Sequence, residues 1–103
     1  MDFRKMIRVQ IRIAGNKRVN GIPLSQAILE VCRQESILGA TVTRCEFGYG
    51  EHDYKPHILR NMTDLPEIVE IVDEPTEIMN LLPKLKEVVE DNGLITLEEV
   101  LTV

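Results

Sequence analysis

The apolar positions change period several times along the chain, and each change marks an element. In "MIRVQIRIAG" Ile7, Val9, Ile11 and Ile13 alternate with Arg8, Gln10 and Arg12. That is the two-residue period of a strand with one face in a core. "NKRVNG" breaks the alternation and reads as a loop. In "IPLSQAILEVCRQESI" Leu24, Ala27, Ile28, Val31 and Cys32 fall at i, i+3, i+4, i+7 and i+8, the apolar stripe of a helix. Pro23 suits its first turn, and Gly39 ends the turn beyond it. "ATVTRCEFGYG" is rich in β-branched and aromatic residues and predicts a second strand. "DLPEIVEIVDE" predicts a third, whose pairs Ile68-Val69 and Ile71-Val72 ask for burial on both faces. Self-association answers that demand; so does a central strand that leaves some apolar surface open. "DEPTEIMNLLPKLKEVVEDNG" predicts a second helix with its stripe at Ile78, Leu81, Leu82, Leu85, Val88 and Val89. Asp73 or Glu74 can cap it, with Pro75 in the first turn. Pro83 should kink it or split off its first turns, and Gly93 is a suitable C-cap. "LITLEEVLTV" supplies a last strand or two short ones.

The order strand, helix, strand, strand, helix, strand defines an α+β chain. It is the ferredoxin-like βαββαβ arrangement, an antiparallel four-stranded sheet with two helices on one face. At 103 residues, with no repeat, low-complexity tract or linker, it reads as a single domain over residues 1–103.

Composition adds exclusions. The net charge is −5, which argues against a general nucleic-acid binder. No apolar run approaches the roughly 20 residues of a membrane span. "MDFRKMIRVQ" lacks the apolar block of a signal peptide. The expectation is therefore a cytoplasmic protein with no direct membrane insertion. Cys32 and Cys45 are too few for a disulfide framework, and Cys32 falls on the apolar stripe as a small core residue. The charge is unevenly spread: residues 1–60 carry ten Lys/Arg against six Asp/Glu, and residues 61–103 carry two against eleven. Nearly all cations able to meet an anionic ligand therefore precede residue 61.

The connection between the second and third strands, "FGYGEHDYKPHILR", is longer than a minimal hairpin needs, and long loops on rigid scaffolds often carry function. Four readings are open. It is a solvated turn whose glycines only permit the bend. Or His52, Asp53 and His57 are ligands for a divalent metal. Or the fold hosts an enzyme of the acylphosphatase kind, for which Arg18 in "GNKRVNG" is the candidate arginine; no Ser/His/Asp set, paired carboxylates or P-loop accompanies it. Or it is an anion pocket. Gly48 and Gly50 let backbone N–H groups approach a phosphate, Arg44, Lys55 and Arg60 supply charge, and Tyr49 stacks on a base or packs. Arg44 and Arg60 can equally pair with Glu46, Asp64 or Glu67 across the hairpin.

The motifs Gly21-x-Pro23-Leu24, "GATVTR" (39–44), Gly48-Tyr49-Gly50, "ILR" (58–60), "DLPEIVEIVD" (64–73) and "GLITLEEV" occur in this order. Together they resemble a family of small uncharacterised bacterial and archaeal proteins, grouped by structure with the PII signal-transduction superfamily. The resemblance covers about residues 6 to 103. It implies the ferredoxin-like fold, a homotrimer, and a non-enzymatic regulatory or sensor role. It further implies a small anionic effector, an adenine nucleotide, in the cleft between subunits, with no required cofactor. Arg44, Gly48, Tyr49, Gly50, Arg60 and Gly93 are the effector-binding candidates on this reading. The loop Glu51, His52, Asp53, Tyr54, Lys55, Pro56 and His57 would contact a client protein, a membrane transporter or an enzyme. The turn "EDNGLI" departs from PII proteins proper, whose glycine-rich, lysine-bearing phosphate loop it lacks. The alternative within the superfamily is a divalent-metal-responsive protein using His52, Asp53 and His57.

Overall fold

A computed structural model describes residues 1–46 and 65–103. The alternating segment forms β1 (Arg4–Ala14). The expected loop after it is instead a small hairpin, β2 (Arg18–Val19) and β3 (Ile22–Pro23), paired Val19 to Ile22 and Arg18 to Pro23. Its two-residue turn is Asn20-Gly21, with φ of 50° and 85°. Positive φ at both positions matches the twist of antiparallel strands, and Asn-Gly adopts it at little cost. Arg18 Nη2 closes the hairpin by donating to the Gly21 carbonyl at 2.7 Å.

Helix α1 (Leu24–Gln34) follows directly, then β4 (Ala40–Arg44), β5 (Pro66–Asp73), α2 (Pro75–Val89) and β6 (Gly93–Thr102). The four long strands form one antiparallel sheet in the order β4-β5-β1-β6, the ferredoxin-like topology. The last segment is one strand rather than two. Both helices cover one face. Val9, Ile11 and Ile13 of β1 and Val69 and Ile71 of β5 meet Leu24, Ile28 and Cys32 of α1 and Ile78, Leu81, Leu85 and Val89 of α2 in a single core. Burial of each such aliphatic side chain stabilises the fold by about 1.5–3 kcal/mol. Cys32 sits in this core, where burial pushes its thiol up to about 11.

Two helix expectations change. Pro83 neither ends nor divides α2. It cannot donate the usual hydrogen bond to the Met79 carbonyl, but Pro83 and Met79 both lie on the exposed side of the helix, where solvent can compensate such a loss. Gly93 is not the C-cap; Glu90 is, at φ 53°. Gly93 is needed elsewhere, for a Cβ there would lie 2.7 Å from the Arg12 carbonyl oxygen and 2.8 Å from Ile13 Cγ2. At the other end Glu74 is the N-cap without a side-chain cap of its own. The carboxylate of Asp73, 3% exposed, serves the junction. Its Oδ1 accepts from the Glu74 N–H at 2.6 Å and its Oδ2 from the Leu38 N–H at 3.0 Å.

The second face of the sheet is open and charged. Arg8 forks onto Glu98, with Nε–Oε1 at 2.8 Å, and reaches Glu70 at 3.6 Å. The hydrogen bond to Glu98 raises the Arg8 guanidinium further above its ordinary range. Ile68 and Val72, the outward members of the paired apolar run, stand opposite Arg12 and Arg8 in the register. Arginine stems can shield such positions while their heads stay wet. The uneven charge along the chain is thus partly neutralised within the fold, as β1 cations meet β5 and β6 carboxylates. No helix among the described residues is long and apolar enough to cross a membrane.

Candidate functional site

One end of the sheet gathers the chemistry. There β1 ends, β4 ends, β5 begins, α1 begins and β6 begins. Register alone aligns Arg44 (β4), Glu67 (β5), Ile13 (β1) and Gly93 (β6) in one row across the four strands. Cys45 continues the β4–β5 contact by donating its N–H to the Pro66 carbonyl at 2.9 Å, and Gly15 donates to Leu65 at 2.9 Å.

Beside this row lies a cleft of about 620 Å³. Its walls include Arg18 from the hairpin, Ser25 and Gln26 from the first turn of α1, Val42 and Arg44 from β4, and Glu67 from β5. Glu67 is 5% exposed, yet it lies on the cleft wall. Arg44 Nη2 lies 3.3 Å from Glu67 Oε2. The guanidinium is half-exposed and the carboxylate is not. Among the described residues this is a single contact, not a bidentate fork.

Of the sequence candidates, Arg44 and Gly93 lie in the described residues. They share the row but stand on opposite edges, about 14 Å apart at ordinary strand spacing. Within one chain they do not converge on one small group. Gly48, Tyr49, Gly50 and Arg60 lie outside the described residues, as do the client-loop candidates Glu51 to His57. The proposed metal ligands His52, Asp53 and His57 lie outside them too. Among the described residues no three His, Cys, Asp or Glu side chains are grouped as a metal site.

Sequence reading had no place for Ser25 and Gln26 in a site, considered Arg18 only by analogy with an enzyme, and treated Glu67 as an incidental partner of Arg44. The available signal was the Asn20-Gly21 turn. It folds the β1–α1 connection back as a hairpin, which carries Arg18 and the start of α1 to the end of β4.

The chain has relatives among known proteins. The model of the DUF190 family, described as "Uncharacterized ACR", matches residues 6–102. A UPF0166 protein of Methanocaldococcus jannaschii is 35% identical over 96 residues, 92% of this chain and 87% of the relative. A UPF0166 protein of Aquifex aeolicus is 35% identical over 99 residues, 94% of this chain and 90% of the relative. Among solved structures, CPII of Thiomonas intermedia, a nitrogen regulatory PII-like protein bound to ADP, AMP and bicarbonate, superposes with a TM-score of 0.76. The identity is 14%, and the match covers 98% of this chain and 91% of that one. A candidate PII-like signalling protein of Thermus thermophilus gives a TM-score of 0.73 at 18% identity, over 100% of this chain and 94% of that one. At these identities the structures establish a shared PII-like fold.

Proposed function

The chain belongs to the DUF190 family and has a PII-like fold, and from that premise we propose that it is a regulatory protein acting by binding rather than by turnover. The effector is a small anion, an adenine nucleotide, taken up at the end of the sheet where β4 and β5 leave it. The observation that carries this reading is Arg44. Its half-exposed guanidinium lies at the base of the β4–β5 connection, on the wall of an open cleft. A neighbouring protein of the same fold was solved with ADP and AMP, which supports the choice of nucleotide.

Gly93 contributes to the same ligand only if subunits assemble. Its distance from Arg44 within one chain suits a site completed by the next copy. The homotrimer is therefore part of the proposal, with the cleft between subunits as the binding place. Arg60 and the backbone around Gly48 and Gly50 complete the cradle, Tyr49 packs on the base, and residues Glu51 to His57 present the bound state to a client protein in the cytoplasm.

Calorimetric titration with AMP, ADP, ATP and cyclic AMP, with and without magnesium, tests this directly. Saturable micromolar binding is expected, weakened about tenfold or more in Arg44→Ala and in Arg60→Ala, each of which removes a charge-assisted contact. Unchanged affinity in both variants would overturn the site assignment. Light scattering behind a sizing column should give three times the mass of the chain; a monomer would remove the inter-subunit cleft.

A further inference from the structure

The first turn of α1 has no side-chain cap. The Leu24 N–H is used, donating to the Lys17 carbonyl at 2.9 Å. The N-cap is Pro23, which has no side-chain oxygen to offer. The next two N–H groups, those of Ser25 and Gln26, therefore receive no side-chain cap from that position. Ser25 is itself only 9% exposed, lines the cleft, and has no hydrogen-bond partner for its hydroxyl among the described residues. A buried hydroxyl left unpaired is costly, so a polar group from outside these residues is called for.

The walls say which kind. The helix end carries partial positive charge. Two guanidiniums share the cleft with one carboxylate: Arg18, held by the Gly21 carbonyl, and Arg44, held by Glu67 through one contact. We propose that this cleft binds a small oxyanion, a carboxylate or phosphate group, seated on the N-terminus of α1. The Ser25 hydroxyl and the N–H groups of Ser25 and Gln26 donate to it, and Arg18 and Arg44 balance its charge. This site shares only Arg44 with the effector site proposed above and is complete within one chain.

Nuclear magnetic resonance of the ¹⁵N-labelled full chain tests it. The protein is titrated with sodium phosphate, sodium acetate and sodium chloride at constant ionic strength while the Ser25 and Gln26 amides are followed. Saturable movement is expected with phosphate or acetate and none with chloride. Saturation by phosphate alone assigns a phosphate ligand, and saturation by acetate as well assigns a carboxylate. Ser25→Ala and Arg18→Gln should each weaken binding about tenfold, while Arg33→Gln, at the far end of the same helix, should leave it unchanged. Amide movement that never saturates, that chloride reproduces, or that Arg18→Gln leaves intact overturns the proposal. Nucleotide binding without any response to phosphate or acetate would sink this site alone. Saturation by phosphate with every nucleotide inert would sink the effector reading alone.

Discussion

Strand β5 carries two buried carboxylates on the same face, Glu67 near its start and Asp73 at its end, 5% and 3% exposed. By burial they are alike; by partners they are opposites. Asp73 spends both oxygens on backbone N–H groups, one from the α1–β4 turn and one from the start of α2. Those donors cannot leave without unmaking the fold. Among the described residues Glu67 meets one side chain, the half-exposed Arg44, on the wall of an open cleft. That partner can rotate away into water or onto a ligand. A buried charge is thus structural where its partners are backbone, and exchangeable where its partner is a long side chain at a cleft wall.

The contrast can be broken most directly at Asp73. Asp73→Ala leaves two N–H groups without their acceptor and should cost about 3 kcal/mol, lowering Tm by more than about 10 °C. Asp73→Asn should fall between it and the native chain. Thermal unfolding followed by circular dichroism measures both, and a loss under about 1 kcal/mol, the size of one ordinary hydrogen bond, would erase the distinction. Gly93→Ala asks whether the open end is rigid where it is not a cleft. The added methyl would press on the Arg12 carbonyl and on Ile13, so urea unfolding should show about 2 kcal/mol of destabilisation from overpacking.

Between the two ends, Cys32 should make stability fall with pH in the alkaline range. Its folded thiol titrates at about 11 against an ordinary value of 9.0. Above pH 9 the unfolded chain loses this proton while the folded chain keeps it, so stability declines from pH 9 until the folded thiol ionises near 11. The loss is on the order of 2 kcal/mol, and Cys32→Ala should flatten that part of the curve relative to the native chain. Glu67→Ala completes the series with the smallest effect, within about 1 kcal/mol, because the arginine it releases stays solvated. The same change should tighten phosphate binding several-fold, since Arg44 no longer has an internal competitor. Glu67→Ala costing as much as Asp73→Ala would show that this pair, too, holds the fold together.

Much of the fold was legible because the periods were clean. Ile7 to Ile13 alternate, the α1 and α2 stripes repeat as helices do, and the four-strand order follows. What was missed had competing local causes. Asn20-Gly21 signals a tight hairpin, but strands of two residues have too little pattern to register as elements. Gly93 resembles a helix terminator, yet close contact with β1 claims it, and Glu90 takes the positive φ of the helix end in its stead. Pro83 looks like a breaker, yet it sits on the exposed side of a helix that runs on through it. At the site, charge and position identified Arg44, whereas Ser25 gave no signal: a serine in a first turn is ordinary, and its burial in a cleft is a product of the hairpin. The candidates between residues 47 and 64 were legible only as composition and family motif.

The sheet order carries one more lesson, about time rather than place. β1 is synthesised before the other strands of its sheet, and both its neighbours come late: Gln10 meets Glu70 across 60 residues of chain and Arg8 meets Glu98 across 90. On the ribosome the central strand therefore emerges first and is paired last. Until β5 and α2 arrive, its row of isoleucines has only nascent α1 to lie against. Such non-local closure slows folding and exposes a sticky edge meanwhile. The arginines that alternate with those isoleucines keep that waiting strand charged on one side.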